Sequence, residues 1–342
     1  MKWIFGKRVD LAVFGGTALV AIAVALALPY RDATRWSWIT GVLLVDVAHV
    51  WSTAFVVYLD PAELRRRPLL YGLVPVLAFA AGVALYARGP LAFWRAIAYL
   101  AVFHFVRQQY GWVMMYRAKN GERDRFGRWL DGATVYLATL YPLAWWHAHL
   151  PRHFSWMIDG DFVPGVPSWL ASVLGVAYAC ALVAYVARAV MQRSTNWGKH
   201  LVVATTAACW YVGIVATDSD YAFTITNVFV HGVPYMALVY VYARNAARER
   251  ESHRGLAARL LDRRRGVLVF LASLWAIAYV EELLWDHTLW HDRPWLFGGG
   301  FDLGKLALVI APLLAVPQLT HYVLDGWLWR RATNPRLGRL MR

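Results

Sequence analysis

Phe103-His104-Phe105-Val106-Arg107-Gln108-Gln109-Tyr110-Gly111-Trp112 sits inside an otherwise mostly apolar run from Leu91 to Tyr116. The run is long enough to cross a bilayer, which takes about 20 residues of helix. Yet it carries an imidazole, a guanidinium and two carboxamides. An ionisable side chain within a membrane helix is expensive and by default marks a functional site. Three other apolar runs carry the same feature, around His49, His231 and His321. The expected fold is therefore all-α, a polytopic integral membrane helical bundle forming a single transmembrane domain over residues 1–342, organised around four histidines.

Composition agrees with that reading. The chain is 59% hydrophobic and 16% charged, whereas soluble domains are about 45–50% apolar and about 25% charged. Its 19 Trp and 18 Tyr suit aromatic belts at the two interfaces. The two cysteines, Cys180 and Cys209, both fall in apolar runs, which argues against a disulfide framework or a cysteine metal site.

Ten apolar segments are expected to be helices, at 11–29, 38–59, 69–87, 91–116, 131–150, 167–190, 200–217, 220–243, 266–285 and 303–327. Assigning the connections alternately to two sides puts 27 of the 35 Lys and Arg on one side and seven on the other, with Arg107 the remaining one. That asymmetry is a positive-inside pattern. It predicts a multi-pass protein of the inner (plasma) membrane with both termini cytoplasmic. The net charge of +14 then reports topology and contact with membrane lipids, and no nucleic-acid partner is expected. Lys7-Arg8 followed by an apolar run ending Ala25-Leu26-Ala27 resembles a signal peptide; the charge alternation works with the segment kept as a helix.

Each central histidine has polar neighbours at helical spacing. Asp46, His49 and Thr53 share one face of segment 2, as do His104 and Gln108 on segment 4, with Arg107 close by. Asn227, His231 and Tyr235 recur every fourth residue on segment 8 beside Gly232 and Pro234, and Gln318, His321 and Asp325 align on segment 10. Counting inward at about 1.5 Å per residue puts His49, His104 and His231 near the midplane. The same count puts His321 closer to the cytoplasm, level with Arg107, Gln108 and Tyr235. The expected metal ligands are His49, His104, His231 and His321, because imidazole suits Fe, Cu and Zn. Asp46, Asp325 and Gln108 would orient them, since a ligating imidazole normally donates its other N–H to such a group. Tyr110 or Tyr235 would relay a proton. Arg107 would bind a carboxylate or phosphate head group, or snorkel towards the interface. Each histidine could instead serve only as an interhelical hydrogen-bonding residue.

A second histidine set, His147, His149, His287 and His291, is expected outside, with Glu281, Glu282 and Asp286 nearby in sequence. The His287/His291 pair superficially resembles the histidine boxes of membrane fatty-acid desaturases. Those families cluster their boxes on the cytoplasmic side, and no H-x-x-H-H occurs here. His104-Phe105 with Gln108, and His231-Gly232-Val233-Pro234-Tyr235, resemble the bacteriorhodopsin-related β-carotene dioxygenase family, polytopic proteins whose non-haem iron is held by histidines dispersed one per helix. The resemblance covers only these short pieces. Asp46-x-x-His49 and Thr320-His321-Tyr322-x-x-Asp325-Gly326 also resemble motifs of a group of bacterial membrane proteins, which implies no function.

The expected function is an integral membrane metal-dependent oxidoreductase, with non-haem iron or copper (zinc as a further choice), acting on a lipophilic small molecule. Two alternatives use the same residues: a b-type haem electron-transfer protein with two axial histidines, and a proton-coupled transporter with a His/Asp/Arg relay.

Overall fold

The computed structural model describes residues 2–28, 30–248, 255–261 and 265–341. Part of the connection between segments 8 and 9, the most basic of the chain, lies outside them. All ten segments are helices: α1 (Lys7–Ala27), α2 (Arg35–Val56), α3 (Pro68–Tyr86), α4 (Pro90–Asn120), α5 (Arg125–Ala148), α6 (Ser168–Met191), α7 (Trp197–Ala216), α8 (Asp220–Ala246), α9 (Gly266–Trp290) and α10 (Gly304–Leu328). Among the described residues there is no strand. Eight of the ten are long and apolar enough to cross a membrane, so the protein is an all-α membrane protein. The other two, α4 and α5, are long enough but more polar. Their polar groups turn inward: His104, Gln109, Asp131, Thr134 and Thr139 are buried. By contrast α3 and α6 leave many of their apolar side chains exposed, among them Leu69, Val76, Val183 and Val190, as helices facing hydrocarbon do.

The described residues pack as two compact units, whose boundaries fall within α2, α4 and α8. The first comprises residues 1–41 and 98–234. Its aromatic core gathers Phe105, Trp146, Phe154, Phe162, Trp210 and Phe223. Helix α1 is packed as a full member: Phe14 meets Trp112 edge-on at 5.0 Å, and buried Asp10 accepts hydrogen bonds from the Ile4 and Phe5 amides and the Tyr116 hydroxyl.

One end of this unit holds a buried charge network. Asp131 of α5 accepts hydrogen bonds from Lys199 Nζ (2.9 Å) and from Arg117, and Glu122 accepts from Lys199, Arg117 and Asn196 at 2.7, 3.0 and 2.7 Å. Asp124 caps α5 through the Gly127 amide and pairs with Arg188. Beside the network lies a cavity of about 330 Å³ lined by Glu122, Asp131, Tyr185, Asn196, Lys199 and His200 among others.

Burial alone would raise the Glu122 carboxyl. The hydrogen bonds from Lys199 and Asn196, with the charges of Lys199 and Arg117, outweigh it and hold the group below its ordinary value. Asp124 is held low too, chiefly by the Gly127 amide. A carboxyl lowered in the folded state contributes stability that is present above its unfolded value and lost as pH falls through the folded one. The contribution of these groups to thermal stability of the solubilised protein is therefore expected to be constant with pH near neutrality and to fall away below about pH 4.3, the unperturbed glutamate value. Glu122→Gln should be less stable at pH 7 and show a shallower acid slope; superimposable acid slopes would contradict the assignment.

The second unit comprises residues 42–97 and 235–342. Here α3 and α10 pack closely enough that a Cβ on Gly82 would lie 2.9 Å from Pro312, and Phe55 of α2 meets Phe270 of α9 at 4.9 Å. Trp94, Trp285 and Trp290 form one aromatic cluster. The C-terminal tail is tied down by Arg336, which bonds to buried Asp60 and Glu63 at 3.0 and 3.3 Å. Helix α9 runs on to Trp290, beyond the expected end at 285. Glu281 lies inside the helix by either bound and accepts hydrogen bonds from the Trp51 and Trp285 indoles, and Glu282 is buried. They do not join the outer histidines as the sequence suggested.

Candidate metal centre

Two of the four histidines follow a change of helix type. Helix α2 is π-helical over Trp38–Val47 and returns to α geometry at Ala48, so His49 is the second residue after the change. Helix α8 is π-helical over Thr224–Val228, and His231 is the third residue after it. π turns are rare, appear often at functional sites, and alter which side chains share a face.

In the first unit the α8 π stretch is approached by two glycines. A Cβ on Gly41 would sit 3.2 Å from the Thr224 methyl, and one on Gly213 would sit 2.1 Å from Thr226 Oγ1 and 2.5 Å from Asn227 Nδ2. The second position has no room for a methyl. Gly213→Ala is expected to displace the stretch that leads to His231, at a cost of roughly 1–3 kcal/mol of overpacking. A thermal midpoint equal to the unsubstituted protein's would show that the stretch is not held there.

The same unit brings His104 and His231 together with ring centroids 4.9 Å apart. Phe105 stacks flat on the His231 imidazole at 3.6 Å. Gln108 donates from Nε2 to the His231 main-chain carbonyl at 2.8 Å. It therefore braces the α8 backbone at His231, which differs from the ring-orienting role expected of it. Arg107 donates to the Tyr136 hydroxyl and lies over the Tyr110 ring. These three form a cluster of their own on α4 and α5.

In the second unit His49 and His321 are paired, again with centroids 4.9 Å apart. Counting along the segments had placed them about seven residues, roughly 10 Å, apart in depth. The count assumed upright helices meeting the interface at the segment edges, whereas real helices tilt, and α10 is interrupted at Ala315. The hydrogen bonds behind His321 run in one direction. Tyr235 donates its hydroxyl proton to Asp325 Oδ1 at 2.5 Å. The Thr53 hydroxyl lies 3.1 Å from the Tyr235 oxygen and 2.8 Å from His321 Nδ1. With the Tyr235 proton committed to Asp325, Thr53 donates to Tyr235 and accepts from His321 Nδ1–H. That tautomer leaves the Nε2 lone pair of His321 as the donor. The Trp329 indole donates to the same acceptors at 3.2 and 3.3 Å. Asp325 Oδ1 itself lies 3.7 Å from His321 Nδ1 and Asp46 Oδ1 3.7 Å from His49 Nδ1. Asp325 thus acts on its imidazole through Tyr235 and Thr53.

All four histidines are at most 5% exposed, and each offers one ring nitrogen such that the four lie within 4.8 Å of one another. A tetrahedral ion with Zn–N-type bonds of about 2.0–2.1 Å separates its donors by roughly 3.4 Å, so small inward ring movements close the set. A buried group of four imidazoles without a thiolate could hold a transition-metal ion. Among the described residues this is the one such group. The histidines expected outside do not form another among the described residues: His147 bonds to the Leu143 carbonyl and Tyr99, His149 to the Trp145 carbonyl and His287 to the Phe297 carbonyl.

Thr53, Trp329 and Phe105 were not singled out as site residues from sequence. Thr53 and Trp329 carried a usable signal: Thr53 lies four residues after His49 on α2, and Trp329, just past the end of α10, lies four residues after Asp325. No family model, no curated protein and no solved structure matches the chain.

Proposed function

We propose that His49, His104, His231 and His321 bind one transition-metal ion and that the protein is an integral membrane metal-dependent oxidoreductase acting on a lipophilic substrate. The convergence of four buried imidazole nitrogens to within 4.8 Å carries this reading. The donor set suits Fe, Cu and Zn, and the likeness of the His104 and His231 motifs to dispersed-histidine iron enzymes favours iron. The bound ion would supply Lewis acidity and one-electron chemistry that side chains lack.

The chain's own contribution is orientation and proton handling. Thr53 fixes the His321 tautomer, and Phe105 and Gln108 hold His231 in place. The His321–Thr53–Tyr235–Asp325 chain connects a ring nitrogen to a carboxylate and so can move a proton between them. Burial excludes water. The apolar exposed faces of α3 and α6 put the protein in the phase where a lipophilic substrate dissolves.

The test is metal analysis of the purified protein with a visible spectrum. About one Fe, Cu or Zn per chain without a Soret band is expected. Absence of a stoichiometric metal would overturn the proposal, and a Soret band would assign the histidines to haem.

A further inference from the structure

Arg107 follows His104 by three positions on α4 and is half-buried. Its guanidinium donates to the Tyr136 hydroxyl and lies 5.1 Å from the Tyr110 ring centroid and 6.0 Å from that of Tyr136. The two phenol rings stack on each other at 5.0 Å. Gly132, one turn before Tyr136 on α5, makes room for this: a Cβ there would lie 3.2 Å from the Tyr110 ring.

Among the described residues Arg107 forms no ion pair. Arg117, about three turns later on the same helix, meets Glu122, Asp124 and Asp131. The two arginines are thus held by opposite means. The charge of Arg117 is fully answered by the protein, whereas that of Arg107 meets two ring faces and one hydroxyl. A guanidinium has five N–H donors, and its planar fork matches a carboxylate or phosphate bidentately. Aromatic faces steady such a cation without neutralising it.

The surroundings select the kind of anion. Leu100 and Phe103 lie seven and four residues before Arg107, on one stripe of α4, and are 46% and 63% exposed. An apolar face therefore runs directly up to the cation. We propose that Arg107, Tyr110 and Tyr136 seat the carboxylate or phosphate of an anionic amphiphile whose hydrocarbon chain lies along Leu100 and Phe103. This names the substrate class for the histidine centre and to that extent rests on the metal reading. The seat itself is built from side chains that touch none of the proposed metal.

The experiment measures binding of tritiated palmitate to the purified protein in neutral detergent, with palmityl alcohol, dodecyl phosphate and inorganic phosphate as competitors. Palmitate or dodecyl phosphate should bind about tenfold or more tighter than the alcohol, the scale of one charge-assisted hydrogen-bonded contact; whichever is preferred identifies the head group. Arg107→Gln should abolish that preference, Arg107→Lys should retain part of it, and Tyr136→Phe should weaken it. Equal binding of acid and alcohol would overturn the proposal, as would a preference that survives Arg107→Gln in folded protein. Displacement of palmitate by inorganic phosphate at comparable concentration would also overturn it, because the seat would then take a free anion. Metal content separates the two readings. Metal present with no acid preference removes the seat alone, and acid preference without metal removes the metal centre alone.

Discussion

Replacing any one of His49, His104, His231 or His321 by alanine is expected to abolish stoichiometric metal in the purified protein, while Thr53→Val weakens binding without abolishing it. Each histidine offers one of four donors, and each is buried. Thr53 acts through another residue: it holds His321 Nδ1 as a donor at 2.8 Å. Loss of such an orienting partner typically costs about 10–100-fold in metal affinity. A chelator titration should therefore rank the unsubstituted protein above Thr53→Val, and Thr53→Val above every alanine variant. Thr53→Ser, which restores the hydroxyl, should recover most of the loss. The ranking is informative because a merely structural role for Thr53 would lower thermal stability without moving the chelator midpoint. If His104→Ala keeps a full metal complement, the histidines serve the packing of the helices and the metal reading fails.

Most of the fold was legible in the sequence, because a bilayer leaves few choices. Runs of about 20 apolar residues can only be helices there, and all ten such runs are helices in the structure. Which four residues would meet was also legible, since an imidazole in a run such as 38–59 or 220–243 has to be answered by something polar. What the sequence could not carry was helix type and side-chain reach. The ten-residue π stretch before His49 has no composition that distinguishes it from α-helix. Asp46, at the end of that stretch, still comes within 3.7 Å of His49 Nδ1. The depth of His321 was misjudged for a related reason: a residue count measures length along a helix, whereas meeting of side chains depends on tilt and on breaks such as that at Ala315. Gln108 shows a third limit. Its spacing from His104 was read correctly as sharing a face, but a carboxamide can brace a backbone carbonyl as well as an imidazole, and the packing of α4 against α8 decides which. Glu281 was grouped with the outer histidines only by closeness in sequence, and its partners Trp51 and Trp285 were invisible as a set.

Asp131→Ala is expected to destabilise the first unit strongly. Asp131 is 2% exposed, and its Oδ2 accepts from both Lys199, 6% exposed, and Arg117, 3% exposed. Removing one partner of a buried ion pair costs about 3–5 kcal/mol, because the charge left behind has lost its compensation. Here two cations lose a shared carboxylate at once, which argues for the upper end. Two features argue the other way. Glu122 still bonds to both cations, and the adjoining cavity of about 330 Å³ lies against Asp131 and Lys199, so water entering it can solvate what is exposed. The balance falls near 3 kcal/mol, the lower end of that range. Thermal or denaturant unfolding in detergent reads this directly. The double variant Asp131→Ala with Lys199→Met should recover part of the loss, since it removes the orphaned charge together with its partner. Should the single variant unfold together with the unsubstituted protein, the network is solvated in the folded state and contributes as weakly as a surface pair, about 0–1 kcal/mol.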